Sequence, residues 1–276
     1  MSEDHHQSGS ADLGRRPGTL ERGLAILELL STERSLSAAQ VAERLDLSRS
    51  ATYRILGTLR QHGYVDWQGN ADDIVLGQRT VTLGMAALSG FDPFLAAQAH
   101  LRDLSRELSE AALMAVRDGD QMVYIAHEDV TDHSIAVRRL LGVRRDLHST
   151  SLGKAYLAAL PLDEADALVD RIPLPAYTPT TLTDPARLRA ELDETRARGF
   201  SIDDSENEPD VLCFGAPIRD ERGWPLCAIS VAGPRERMLG KQDMAAQRVA
   251  EVALAISRRL GFVGQVNAVS FGGSSS

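Results

Sequence analysis

The chain has 276 residues, which suggests about two domains at the usual ~100–200 residues each and is long enough to bury real cores. Hydrophobic residues at 43% and charged residues at 25% exclude collagen-like, mucin-like and wholly disordered chains. A formal charge of −9 argues against a surface that binds polyanions everywhere. Cys213 and Cys227 are too few for a disulfide framework and lack metal-ligand spacing, so a reducing cytosol is the simplest compartment. The opening MSEDHHQSGSADLG is polar and reads as a disordered tail, neither signal nor transit peptide. No stretch approaches the ~20 apolar residues of a membrane helix, so a soluble protein is expected.

The charge is unevenly placed. Residues 15–62 carry eight arginines against five acids, a local +3, whereas residues 81–276 carry 21 basic and 28 acidic groups. In the basic segment Thr19 can cap a first helix with Leu20, Leu24, Leu27 and Leu30 at helical spacing, ending before Ser31. Ser37 and Gln40 fit a capping box and Leu36 with Val41 a hydrophobic staple, so a second helix starts at Ser37 and runs to about Leu45. Asp46-Leu47-Ser48 offers a short turn, with Ser48 capping a third helix that reaches about His62. That pattern spells helix-turn-helix.

On a helical wheel Thr52, Ile55, Leu56 and Leu59 form a core face of the third helix. The opposite face carries Ser50, Tyr53, Arg54, Gly57 and Gln61, with Arg49 at its edge, and no acid occurs from Leu47 through Tyr64. Such a face suits a major groove: Arg pairs with guanine or holds a phosphate, Gln reads adenine, and glycine admits close backbone approach. A solvated helix face is the competing reading. Residues 63–67 and 74–76 flank a polar turn and read as a two-stranded wing, with Asp72 and Asp73 at a tip that disfavours phosphate. Arg15 and Arg16 are candidates for a minor-groove arm, against an unused basic pair.

Further on, residues 79–88 suit a linker helix, and Asp92-Pro93 starts another with Leu95, Leu101, Leu104 and Leu108 as its core stripe. Strand-like runs follow at 113–116, 122–126 and 135–137, and 213–218 with 226–231 flank a hairpin turn. A final helix covers about 241–260, and 261–276 reads as a flexible tail. At 146–160 a polar loop passes into a helix, whose first N–H groups attract anions. Gly153-Lys154 is not a phosphate-binding P-loop, because the upstream glycine is absent and Ala155 stands where Ser or Thr is needed. Nucleotide hydrolysis is not implied.

The segments Arg22-Gly23-Leu24, Val41-Ala42-Glu43-Arg44-Leu45, Ser50-Ala51-Thr52-Tyr53-Arg54 and Gly63-Tyr64-Val65 are followed by Leu76-Gly77 and Leu83-Gly84. Then come Leu147-His148-Ser149-Thr150-Ser151-Leu152-Gly153-Lys154-Ala155, Arg198-Gly199-Phe200, Glu206-Asn207-Glu208-Pro209, Ala216-Pro217-Ile218 and Ala228-Ile229-Ser230-Val231-Ala232-Gly233-Pro234. In this order and spacing the chain resembles the IclR family of bacterial transcriptional regulators over residues 18–262.

The resemblance implies an α+β chain. It has an N-terminal winged helix-turn-helix DNA-binding domain at 18–78, a linker helix at 79–92, and a C-terminal GAF-like α/β effector-binding domain at 93–262, with tails at 1–17 and 263–276. It also implies dimers or dimers of dimers, double-stranded operator DNA and a small-molecule effector as partners, and no membrane, cofactor or metal. It places Asp203, Asp204, Cys213 and Ser230 opposite the helix start Thr150, Ser151, Leu152 and Gly153, with Leu141 and Met114 as apolar walls of a pocket for a small carboxylate-bearing metabolite. Ala232 and Asp210 stand where the family usually has Ser and Gly. The expected function is a ligand-responsive regulator of a catabolic operon, repression favoured over activation. Two other readings compete: an enzyme using His148 with Cys213, or Asp203 with Glu206, and a metabolite-binding module that only dimerises. Residue by residue, a helix cap with a solvated Lys154, a turn at Asp203-Asp204 and an inert core Cys213 stay open.

Overall fold

The computed structural model describes residues 18–33, 35–68, 73–90, 92–129 and 141–264, and the chain separates into two compact units, Met1–Ala87 and Leu88–Ser276. Arg15, Arg16, the wing-tip residue Asp72 and the strand expected at 135–137 lie outside the described residues. Among those described, no helix is long and apolar enough to cross a membrane, and no group of three or more His, Cys, Asp or Glu side chains gathers to hold a metal.

In the first unit α1 (Thr19–Thr32), β1 (Leu36–Ser37), α2 (Ala38–Arg44) and α3 (Arg49–Gln61) precede β2 (Val65–Gln68) and β3 (Asp73–Leu76), and α4 (Gln78–Ser89) follows, crossing the division between Ala87 and Leu88. Ser37 caps α2 reciprocally: its hydroxyl accepts from the Gln40 amide at 3.3 Å while its own amide donates to Gln40 Oε1 at 2.8 Å. The Ser48 hydroxyl accepts from the Ala51 amide at 3.3 Å and starts α3 after a turn in which Asp46 has φ 49°. Ile26, Leu30, Val41, Ile55, Leu56, Val65 and Ile74 make the core. β1 adds a third strand to the wing, in the order β1-β3-β2, through pairing of Leu36 with Ile74.

α1 departs from expectation. Gly18, not Thr19, is its N-cap, and Glu21 reaches back to the Gly18 amide. The buried stripe is Gly23, Ile26 and Leu30, while Leu20 and Leu24 are exposed, because a helix with five leucines offers more than one apolar face and packing against α3 selects one.

The second unit is built on a six-stranded antiparallel sheet in the order β6-β5-β4-β9-β8-β7. Its strands are β4 (Ala111–Asp118), β5 (Gln121–Glu128), β6 (Arg144–Asp146), β7 (Ser201–Asp204), β8 (Val211–Arg219) and β9 (Pro225–Pro234). One face carries α5 (Asp92–Leu108), the short α9 (Arg235–Leu239) and α10 (Gln242–Arg259); the other carries α6 (Ser151–Ala159), α7 (Leu162–Arg171) and α8 (Pro185–Arg198). Strand alternation divides the side chains. On β8, Leu212, Phe214, Ala216 and Ile218 belong to the α5/α10 core, which leaves Cys213 and Gly215 under α6.

In α5 the buried stripe is Ala96, Ala97, Leu101, Leu104 and Leu108, whereas Leu95 is exposed: one position from Ala96, it points off the stripe. Nor does the chain simply leave the domain at Gly261. Gly261 turns with φ 97° and the Phe262 amide donates to the Ser257 carbonyl at 3.0 Å.

Gly215 lets the first turn of α6 lie on the strand, since a Cβ there would stand 2.6 Å from the Ser151 carbonyl oxygen and 2.8 Å from Ser201 Oγ. Gly215→Ala is therefore expected to lower stability by about 2 kcal/mol or more, as backbone overpacking does, measured as a fall in the urea midpoint. An unchanged midpoint would mean that α6 is free to lift.

Candidate functional site

Two regions carry chemistry. In the first unit, Arg49, Ser50, Tyr53, Arg54, Gly57 and Gln61 are all exposed on one face of α3, while Thr52, Ile55 and Leu56 are buried and Leu59 packs at the core's edge. Gly57 has nothing within 4 Å of a built Cβ, so the fold does not require glycine there. Arg60 leaves this face: its guanidinium stacks over the Trp67 ring of β2 at 4.7 Å. The exposed face thus has two arginines, a tyrosine, a serine and a glutamine around a bare patch of backbone.

In the second unit, strand register brings a row of small and polar residues together beneath α6. Leu113, Ser230, Gly215 and Ser201 lie side by side across β4, β9, β8 and β7, and Ala111, Ala232, Cys213 and Asp203 form the next row on the same face. α6 begins over this surface. Thr150 Oγ1 accepts from the Gly153 amide at 3.1 Å, and Ser201 Oγ donates to the Ser151 carbonyl at 2.6 Å. Gly153 is bare because a Cβ would run into the Leu147 backbone.

Three expected members of this cluster sit elsewhere. Met114 packs on the α5/α10 face; its neighbour Leu113 is the one beneath α6. Asp204 also points to the opposite face from Asp203, where Arg235 of α9 holds it through Nε at 2.6 Å and Nη2 at 3.0 Å. In both cases a single step along a strand changes the face. Leu141 is 55% exposed, in the turn before β6, and walls no buried pocket.

Lys154, for which a solvated position was one reading, is completely buried. Its Nζ pairs with Glu206 in the β7–β8 loop and lies 3.7 Å from Glu191 of α8, which also binds Arg198. Burial pushes Glu206 up to about 7 against the opposing pull of Lys154, and its Oε2 has no hydrogen-bond partner among the described residues. Burial likewise pushes Asp203 up to about 6, opposed by the Glu206 and Asn207 amides that donate to its Oδ1 at 2.8 and 3.3 Å. The Cys213 thiol is raised well above its ordinary value, first by burial and then by Asp203, the reverse of an activated nucleophile. His148 is buried and held below its usual value by desolvation, with Nε2 3.0 Å from the Pro175 carbonyl.

The cluster itself is closed: Thr150, Ser151, Leu152, Asp203, Cys213 and Ser230 are all buried. Open space lies beside it. A cavity of about 270 Å³ is lined by residues including Gln121, Arg145, Tyr177 and Glu208. Arg145 bridges to Glu208 at 3.3 Å, and the Tyr177 hydroxyl donates to Asp146. Arg145 and Tyr177 are functional candidates that carry no motif signal, whereas Glu206 enters the sequence reading only as an acid/base partner of Asp203 and Lys154 only as a P-loop or solvated lysine. Glu206 and Lys154 do stand inside motifs that carry the family resemblance, but only the fold reveals that they meet across 52 residues.

Residues 19–69 match the family described as IclR helix-turn-helix domain, and residues 85–258 match Bacterial transcriptional regulator IclR C-terminal. The chain belongs to the IclR family. This IclR-family chain is 32% identical over 222 residues to the transcriptional repressor IclR of Escherichia coli, covering 80% of the chain and 81% of that protein. To the Pca regulon regulatory protein of Pseudomonas putida it is 33% identical, covering 88% and 82%. The crystal structure of the Thermotoga maritima IclR matches with a TM-score of 0.68 at 30% identity, over 88% of this chain and 99% of that one. It is a DNA-binding transcriptional regulator with a winged helix-turn-helix domain and an α/β effector-binding domain.

The family's usual glycine at position 210 now has a structural counterpart. Asp210 has φ 59°, in the left-handed region that favours glycine and that Asp tolerates better than most residues.

Proposed function

We propose that the chain is a ligand-responsive repressor in the cytoplasm, not an enzyme, that controls a catabolic operon and senses a small carboxylate. The observation that carries the DNA half is the exposed, acid-free face of α3: Arg49 and Arg54 contact phosphate or guanine, Gln61 and Ser50 contact bases or backbone, Tyr53 packs on the groove wall, and Gly57 admits the backbone. Arg15 and Arg16 are proposed as a minor-groove arm. Repression is favoured by the relative whose name is transcriptional repressor IclR.

The sensing half rests on the polar rows beneath α6. A carboxylate is received by first-turn amides at Ser151 and Leu152, with Thr150, Gly153, Ser230, Cys213 and Asp203 around it. An anion beside Asp203 favours its protonated form, so uptake of ligand brings a proton with it. The chain acts as a dimer or dimer of dimers. Its supporting observation is exposed apolar surface on α1 and α4, where Leu20, Val81 and Leu83 are 76%, 63% and 52% exposed. Helix α4 is the linker through which effector binding alters the two DNA heads.

Two measurements test this. Binding to promoter fragments should weaken steeply with salt, because phosphate contacts release counterions; salt-insensitive or absent binding overturns the DNA half. A thermal-shift screen with small carboxylates should raise the melting temperature of the wild type and not of Ser230→Leu. A screen in which no carboxylate acts, or in which Ser230→Leu responds equally, overturns the sensing half.

A further inference from the structure

The C-terminal end of α6, remote from the Thr150 cap, meets two arginines. Arg196 of α8 donates Nε to the Ala158 carbonyl at 3.1 Å, and Arg219 at the end of β8 donates Nη1 to the Ala159 carbonyl at 2.7 Å. Both complement the partial negative charge at a helix C-terminus. That role uses only part of the donor capacity of Arg219. Arg219 Nη1 makes one further bond, to the Gly223 carbonyl at 2.9 Å, and among the described residues no carboxylate pairs with this guanidinium. Arg196 does have an outward partner, Asp193, at 2.7 Å.

The two cations stand close enough to repel. Desolvation first, and Arg196 second, lower the proton affinity of Arg219. A partly buried guanidinium facing a second cation, with only carbonyl dipoles to offset it, leaves net positive charge beside open space. That space is a cavity of about 50 Å³ at the margin of β8, walled by Ala155, Ala158, Ala253, Leu254 and Phe262, with Thr195 also on its lining. At ~10–15 Å³ per water it holds roughly four water-sized positions, enough for an acetate-sized group and too little for a nucleotide.

We infer that this cavity, bounded by Arg219, Arg196 and Thr195, is a second ligand site, separate from the cluster at the start of α6, and that it takes a small oxyanion. The guanidinium presents a planar fork that matches a carboxylate and also serves a phosphate. The alanine walls favour a carboxylate with a short aliphatic tail over the more strongly hydrated phosphate. Because one nine-residue helix ends at this site and begins at the proposed effector cluster, an occupant here is placed to bias the other end.

The experiment uses the full chain. Titration calorimetry with sodium propionate and, separately, sodium phosphate is run at constant ionic strength on wild type, Arg219→Lys and Asp203→Asn. In parallel, the arginine Nε–H resonances of the wild type are followed by NMR. The expected result is a saturable binding event that is at least ~10-fold weaker in Arg219→Lys and retained in Asp203→Asn, with the Arg219 Nε–H resonance moving on the same isotherm. Propionate binding alone assigns a carboxylate ligand; phosphate binding alone assigns an inorganic oxyanion. No saturable binding of either anion up to ~20 mM, equal binding to Arg219→Lys, or loss of binding in Asp203→Asn overturns the inference. The last result would transfer the anion to the α6 N-terminus. If Arg219→Lys does not fold, the wild-type resonance still decides: an Arg219 Nε–H signal that stays put while anion binds overturns the site.

Discussion

Lys154→Met is expected to destabilise the second unit by roughly 3 kcal/mol at pH 8, the range seen when one partner of a buried ion pair is removed, and by much less at pH 5. Lys154 is fully buried between Glu206 and Glu191. Without it an ionised Glu206 has no adjacent cation, and its carboxyl must stay protonated to remain buried. The direction with pH follows from its titration. In the wild type Glu206 is already raised to about 7 from an ordinary value of 4.5. Its protonated form therefore favours the folded state fully below about 4.5, and that contribution is lost as pH climbs through 7. In Lys154→Met the carboxyl rises further, so its stability keeps falling with pH after the wild type has levelled off. The gap between the two opens above pH 7. Urea midpoints followed by circular dichroism from pH 5 to 8.5 measure it. Adding Glu206→Gln to Lys154→Met should remove most of the pH dependence. A pH-independent gap, or none, would show that the pair is not what ties α6 to the β7–β8 loop.

Arg54→Ala is expected to weaken binding to a specific duplex by about thirtyfold or more. A bidentate arginine–guanine pair is worth about 1–3 kcal/mol, and the two-headed dimer proposed above would lose it twice. Anisotropy titrations at fixed salt measure the loss. Arg60→Ala supplies the contrast: Arg60 is on the same helix but stacked over Trp67, so removing it should change DNA affinity far less. Wild-type affinity in Arg54→Ala, or a larger loss in Arg60→Ala, would mean that another face of α3 enters the groove.

The first unit was largely legible because its signals are local. The capping box at Ser37 and Gln40, the Ser48 cap and the wheel of α3 are written within one or two turns of chain, and the structure follows them. Where it departs, at Leu20 and Leu24 of α1, local pattern was ambiguous and packing chose. α7, α8, α9, β6 and β7 are not read from the sequence, and Asp203-Asp204, for which a turn was one reading, end strand β7. α8 nonetheless carries a local signature, with Asp184 capping, Pro185 in the first turn and Gly199 with φ 86° at the end.

The cluster beneath α6 divides differently. That Thr150, Asp203, Cys213 and Ser230 belong together came from motif order, and sheet register puts the last three on one face. The faces of Met114 and Asp204 depended on strand parity, which a shift of one residue reverses.

The sequence by itself determined the family, the two-part organisation and the exposed face of α3, since each is carried by short-range spacing and residue type. It also placed the positive charge on that face despite a total of −9. Only the tertiary structure decided that Lys154 is buried against Glu206 rather than solvated, that Arg60 is spent on Trp67, and that Arg219 and Arg196 converge on one cavity. Those facts depend on which distant segment covers a side chain, and a charge acquires its meaning from the partner and the burial that the fold supplies.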